Sequence, residues 1–189
     1  MPKIVDKAAR QEEILNAAAK VFARKGFAAS RIEDVAAEAG IAKGSVYLYF
    51  ASRDALLTGV FESYAAKSAL TLADLGPGGP LDRLRRLIRA TLELLAAHPD
   101  HARVLLDVWA SNPPLDLAAM YRDHRAVIAE LLTEAAAAGE LRAGIGASHA
   151  PVLVGVIEGC LVQALVDPAL SLRELTGPVL EICVEGIRR

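Results

Sequence analysis

Residues 30–57 read Ser30-Arg-Ile-Glu-Asp-Val-Ala-Ala-Glu-Ala-Gly40-Ile-Ala-Lys-Gly-Ser-Val-Tyr-Leu-Tyr-Phe50-Ala-Ser-Arg-Asp-Ala-Leu-Leu57, and this stretch decides how the chain is organised. Ser30 opens a helical pattern: its hydroxyl can cap the first turn while Glu33 reaches back, a reciprocal S-x-x-E box. Ile32, Val35, Ala36 and Ala39 give that helix its buried side. Gly40 supplies the left-handed residue that ends it. A short helix follows, from about Lys43 to Tyr49. On it Val46 and Phe50, four apart, point inward with Ile41, while Lys43 and Tyr47, also four apart, point outward beside Gly44 and Leu48. An outward Lys and Tyr on so short a helix pack poorly but suit a DNA groove. Gly44 lets the backbone approach base edges, and Ser45, Tyr49 and Arg53 flank the helix where hydroxyls and a guanidinium can meet phosphates. Two helices and a turn with this spacing form a helix-turn-helix. On spacing alone, a small surface hairpin with solvated polar groups fits the pattern equally well.

Outward from this stretch the chain reads as helix throughout, an all-α protein with about nine helices. Ile14, Leu15, Ala18, Val21 and Phe22 form the stripe of a first helix that ends at Gly26. A fourth starts near Ser52. Asp74-Leu-Gly-Pro-Gly-Gly-Pro80 breaks the pattern. Helices resume at 81–97 and about 101–110, and Asn112-Pro113-Pro114 precedes a long one over about 115–138. Ser148 and Pro151 start a helix that reaches Val166, and a last one occupies about 171–187. The expected division is a DNA-binding domain over 1–51 and a second helical domain over 52–189.

Composition narrows the class. With 21 Lys and Arg against 23 Asp and Glu, the 189-residue chain carries a net charge of −2 and is no polycation. Residues 1–60 hold nine basic and seven acidic side chains, so only the front end leans toward a polyanion. Two distant cysteines, Cys160 and Cys183, make neither a disulfide framework nor a zinc cluster. Met1–Arg10 has no apolar core of a signal peptide. Val152–Val166, interrupted by Glu158 and Gln163, falls short of the roughly 20 residues a membrane span needs. These features read as a soluble, cytoplasmic protein. His98, His101, His124 and His149 show no metal-ligand spacing, and no nucleophile or phosphate-loop motif is present. No metal, cofactor or catalytic site is expected.

From about Glu12 to Leu57 the sequence resembles the DNA-binding domain of the TetR family of bacterial one-component regulators. The resemblance rests on Ile14-Leu15, Ala17-Ala18, Phe22, Gly26-Phe27, Ser30, Val35-Ala36-Ala37 and Ala39-Gly40-Ile41. It continues through Lys43-Gly44-Ser45-Val46-Tyr47, Tyr49-Phe50, Ser52-Arg53-Asp54 and Leu56-Leu57. Beyond it, only helix count and Gly139-Glu140-Leu141-Arg142 agree. The resemblance implies that Lys43, Gly44 and Tyr47 face the major groove and that Ser30, Arg31, Ser45, Tyr49 and Arg53 meet the backbone. Ala42 stands where the family often has a capping Ser, and Glu33 leaves the second helix without a basic side chain there.

Such a regulator binds double-stranded operator DNA as a homodimer, and in the family the last two helices pair with their mates. Gly155, Gly159 and Val162 on one, with Val179 and Ile182 on the other, are the expected interface. The family also implies a small-molecule effector pocket in the second domain. Tyr64, Leu105, Trp109, Tyr121, Arg125 and Ile128 are candidate linings, the effector being small and apolar or amphipathic. Core packing explains Trp109 and Tyr121 equally well, and Arg125 reads more readily as a surface charge. The most consistent function is a repressor released by its effector; a helical carrier protein without specific DNA binding is the alternative.

Overall fold

The computed structural model describes residues 6–109 and 117–189, with side chains throughout except at Val108, Trp109, Leu117 and Met120. Every regular element among these residues is helical: α1 Lys7–Lys25, α2 Ile32–Glu38, α3 Lys43–Tyr47, α4 Arg53–Ala73, α5 Pro80–Ala97, α6 Pro99–Trp109, α7 Leu117–Ala137, α8 Ala150–Val166 and α9 Thr176–Cys183. An isolated antiparallel bridge joins Leu141 to Arg188. The Asn112-Pro113-Pro114 break and the expected start of α7 near residue 115 lie outside the described residues.

Local chemistry sets the first boundaries. Asp6 caps α1, its Oδ1 accepting from Ala8 N–H at 3.0 Å and Ala9 N–H at 3.3 Å. Gly26, at φ +76°, ends it. The capping box on α2 is shifted one residue from the expected position. Arg31 is the N-cap, and its backbone N–H donates to Asp34 Oδ2 at 2.9 Å. Ser30 instead is buried, its hydroxyl donating back to the Gly26 carbonyl at 2.6 Å. Ala42 caps α3 without a side-chain bond, and α3 stops at Tyr47, with Tyr49 and Phe50 N–H both donating to the Val46 carbonyl.

The chain divides into two compact units. The first takes residues up to Lys67 together with α6, the second Ser68–His98 with α7, α8 and α9. The boundary expected between residues 51 and 52 falls inside the first unit, because α4 contributes Arg53–Lys67 to it. In this unit α1 packs against α2 and α6, and α2 against α3. Ile14, Val21, Phe22, Val35, Val46 and Leu56 form its core. A polar cluster lies beside this core, where Glu12 accepts from Lys67 Nζ at 2.6 Å and from Ser63 Oγ at 3.1 Å.

In the second unit α5 packs against α7 and α9, and α7 against α8. Pro80 at the first position starts α5, whose stripe of Leu81, Leu84, Ile88, Leu92 and Leu95 is buried. Arg86 holds the preceding loop by donating to the Leu75 and Pro77 carbonyls at 2.5 Å each. Arg83 and Arg85 bind Glu134 and Glu185. The last helix is shorter than the sequence pattern suggested: residues 172–175 are turns, and a 3-10 turn over Glu185–Ile187 follows α9.

One sequence expectation is overturned in this unit. Preceded by a turn over Ala147–His149, α8 gives a continuous 20-residue helical segment, Ala147–Val166, long and apolar enough to cross a membrane by length and composition. Of an apolar stretch of 18 residues within it, only 22% is buried. The apolar face it leaves outside includes Val152, Val162 and Val166.

Candidate nucleic-acid interface

The surface of interest is built from α2, the turn at Gly40 and α3. Gly40 adopts φ +65°, where a side chain would be strained, and so redirects the chain between the helices. Val46 is fully buried and Phe50 nearly so, anchoring one side of α3. The opposite side is bare: Tyr47 is 48% exposed, Leu48 78%, and Lys43 and Gly44 are exposed as well. Nothing lies within 4 Å of the position a Cβ on Gly44 would take, so the backbone there is open to an approaching surface. Ser45 and Tyr49 sit half-buried at the flank, and Arg31 is exposed at the start of α2.

The electrostatics of this face differ from a plain basic patch. Every carboxylate of α2 holds a cation. Glu33 binds Lys43 at 2.5 Å, Asp34 binds Lys25 at 2.6 Å, and Glu38 binds Arg24 at 3.3 Å with Lys20 at 3.9 Å. The hydrogen bond from Lys43 holds the Glu33 carboxyl below the ordinary carboxylate range, and the same bond raises the Lys43 ammonium. The bond from Lys25 likewise lowers Asp34.

Two expected phosphate contacts are corrected. The Ser30 hydroxyl is 1% exposed and committed to Gly26, so it faces neither solvent nor a phosphate. Arg53 turns inward. Its Nη1 donates to the Ala28 carbonyl at 3.0 Å and the Ser30 carbonyl at 2.8 Å, and its guanidinium lies 4.4 Å from the Phe27 ring centroid. Phe27 in turn meets Phe22 edge-on at 5.3 Å. From α6, Asp107 Oδ2 accepts from Phe27 N–H at 3.1 Å. Arg53 and Asp107 thus fasten the loop that delivers α2, and sequence spacing gave no sign of Asp107.

The effector candidates fall in both units. In the first, Tyr64 and Leu105 are buried, and Tyr64 stacks on His101 with centroids 6.0 Å apart. Burial pushes the Tyr64 hydroxyl up. In the second unit Ile128 is buried, while Tyr121 and Arg125 are half-buried on α7. Trp109 ends α6, and its side chain lies outside the described ones. Ser68 and His124, which the sequence pattern did not single out together, meet at 2.9 Å. Among the described residues no group of three or more His, Cys, Asp or Glu is placed to hold a metal.

Of the interface candidates, Gly155 and Gly159 have open space where a Cβ would stand, and Val162 and Ile182 are exposed. Val179 is corrected: it is 4% exposed, packed within its own protomer and not offered to a partner. Burial pushes the Cys160 and Cys183 thiols up.

A short helix anchored on one side and bare on the other, set behind a glycine turn in an all-helical chain, defines a helix-turn-helix DNA-binding protein. Comparison with known proteins narrows this class. Residues 14–60 match the model for bacterial regulatory proteins of the tetR family, and residues 77–159 match a tetracycline-repressor-like C-terminal domain. The chain belongs to the TetR family of transcriptional regulators. It is 26% identical over 182 residues to the fatty acid metabolism regulator protein of Bacillus subtilis, covering 93% of this chain and 94% of that one. It is 37% identical over 101 residues to the uncharacterized regulator YerO of the same organism, covering 51% of this chain but only 35% of that protein's length. The ketosteroid regulator KstR2 of Mycobacterium tuberculosis has the same fold, with a TM-score of 0.79 at 23% identity and 95% coverage of both chains.

Proposed function

We propose that this protein is a transcriptional repressor that binds a palindromic operator as a two-fold homodimer and leaves it when a small hydrophobic or amphipathic effector binds. The bare side of α3 carries the reading, with Lys43, Gly44, Tyr47 and Leu48 outward over a buried Val46 and Phe50. A carrier protein would have no use for that surface. Lys43, Gly44 and Tyr47 read bases, and Arg31, Ser45 and Tyr49 meet the sugar-phosphate backbone. Arg53 acts through the loop it holds.

One helix-turn-helix reads few base pairs, and a second copy about 34–36 Å away reaches the next major groove. The exposed apolar side chains of α8 and α9, around the open strip at Gly155 and Gly159, supply the pairing surface. A helix apolar over 20 residues and mostly unburied in the protomer is accounted for by a partner's matching helix.

The effector class is supported by the chemistry of the candidate residues and by related regulators. One related regulator is named for fatty acid metabolism, and a Bacillus subtilis FadR of the same fold was solved with stearoyl-CoA. Here an acyl or steroid-like compound is the effector class proposed, with Tyr121, Arg125 and Ile128 of the second unit as its candidate contacts. A ligand shifts the DNA-binding equilibrium only by its preference for one state, and linkage makes the operator weaken effector binding by the same factor. The test titrates fatty acyl and steroid-like compounds into the protein–operator complex while following thermal stability and operator release. A compound that stabilises the protein strongly yet leaves operator affinity unchanged contradicts control of DNA binding.

A further inference from the structure

The Lys43 ammonium, expected to reach DNA, is not free: it bonds Glu33 Oε1 across the helix-turn-helix at 2.5 Å, and both side chains are about half exposed. Lys43 is the first residue of α3 and Glu33 lies in the first turn of α2, so the pair spans the two helices whose outer faces approach the groove. The arrangement is unsuited to a phosphate, which offers acceptors only and would be repelled by Glu33. It is suited to a base pair, which offers donors and acceptors side by side. In the major groove a G·C pair shows the N7 and O6 acceptors of G and then the N4 amino donor of C. A lysine beside a glutamate presents donors followed by an acceptor, the complement of that order. At A·T the lysine would face an amino donor and the glutamate a carbonyl acceptor, two conflicts at once.

We propose that Glu33 and Lys43 act as one specificity-determining couple that reads a G·C pair in each half-site and, by keeping Lys43 from phosphates, holds down binding to other DNA. This rests on the regulator reading above and adds a determinant to the same surface. The other α2 pairs reinforce the second effect. With Lys25 held by Asp34 and Arg24 by Glu38, three carboxylates restrain cations that would otherwise collect phosphates indiscriminately.

The test uses the full-length protein and two fluorescent duplexes: the inverted repeat that the parent enriches from a random pool, and a random-sequence duplex. Affinities are read by anisotropy over a range of salt for the parent, Glu33→Ala, Glu33→Gln and Glu33→Ala/Lys43→Ala. Glu33 is exposed, and circular dichroism checks that each variant is folded. Freeing Lys43 in Glu33→Ala should add about one phosphate contact. Random-duplex affinity then rises roughly five- to tenfold at physiological salt, and the log–log salt slope steepens by about 0.9. Removing Lys43 as well should return the slope to the parent's. Glu33→Gln should move the preference at that position from G·C toward T·A, since Gln in place of Glu33 pairs with the N6 and N7 of an adenine that replaces the C, while Lys43 meets the O4 of the thymine. If both single variants keep the parent's salt slope and base preference, the couple is no determinant and the proposal is overturned, with the regulator reading intact. If the parent enriches no sequence from the pool, the DNA-reading function fails and the couple fails with it.

Discussion

Arg53 separates two roles for a basic residue at a DNA interface, and Arg53→Ala decides between them. A phosphate-binding arginine would be spared by the fold. Here Nη1 donates to two carbonyls at 3.0 and 2.8 Å and the guanidinium lies 4.4 Å from the Phe27 centroid. Hydrogen bonds from a charged donor contribute about 1.5–3 kcal/mol when buried, and the half-exposed position here brings each down to roughly 1 kcal/mol. The contact with Phe27 adds about 0.5–1 kcal/mol. Arg53→Ala should therefore cost about 2–3 kcal/mol, or roughly 5–10 °C of melting temperature for a chain of this size. Arg53→Lys keeps the charge but loses the planar fork, and should recover less than half of that loss. Differential scanning fluorimetry gives the midpoints, and operator titrations over a salt series at low temperature give the electrostatic contribution. The salt slope of Arg53→Ala should stay near the parent's. A variant that melts with the parent yet loses about one unit of slope would show a direct phosphate contact and refute the inward assignment.

Tyr47→Ala should weaken operator binding by roughly 1–3 kcal/mol with little change in melting temperature, because the ring is exposed on α3; unchanged operator affinity would misplace the recognition face. Gly159→Ala should leave the protomer as stable or slightly more so, since the added Cβ meets nothing within 4 Å and alanine favours helix. Gly159→Arg should leave the protomer helical but yield monomers in analytical ultracentrifugation, without operator affinity; a dimeric Gly159→Arg places the interface elsewhere. Burial raises the Glu12 carboxyl, but bonds from Lys67 and Ser63 prevail and hold it below its ordinary 4.5. Its contribution, about 1 kcal/mol or less at this exposure, is complete above that pH and is lost as pH falls through the depressed value. Glu12→Gln should lower the melting temperature at neutral pH and flatten its acid-side decline. An unchanged pH profile would show that the cluster contributes nothing.

The helix-turn-helix was legible because its signals are local. Gly40 marks the turn, and Val46 and Phe50 alternate with Lys43 and Tyr47 within eight residues. The capping box was misread by one residue because Glu33 and Asp34 are adjacent and Ser30 is the better cap by type, whereas the fold uses the Arg31 backbone and sends Ser30 inward. The loop-holding roles of Arg53 and Asp107 were hidden for a different reason. Their partners are backbone groups of the loop after α1, 23 to 80 residues away in sequence. The Glu33–Lys43 pair crosses a turn at a separation of ten residues, outside the i,i+4 spacing that reveals helical ion pairs. Val179 and Ile182 share one apolar stripe, but only packing tells that the first points into the protomer and the second away from it.

Sequencing the genomic fragments retained by the purified protein, with and without an acyl effector, reads operator recognition and effector release in one experiment. One inverted repeat should be enriched, its half-site centres about one helical turn or a multiple apart, and it should be lost from the retained pool when the effector is added. Retention of fragments without any common sequence, or of the same repeat by the Tyr47→Ala protein at parental affinity, would contradict the regulator reading.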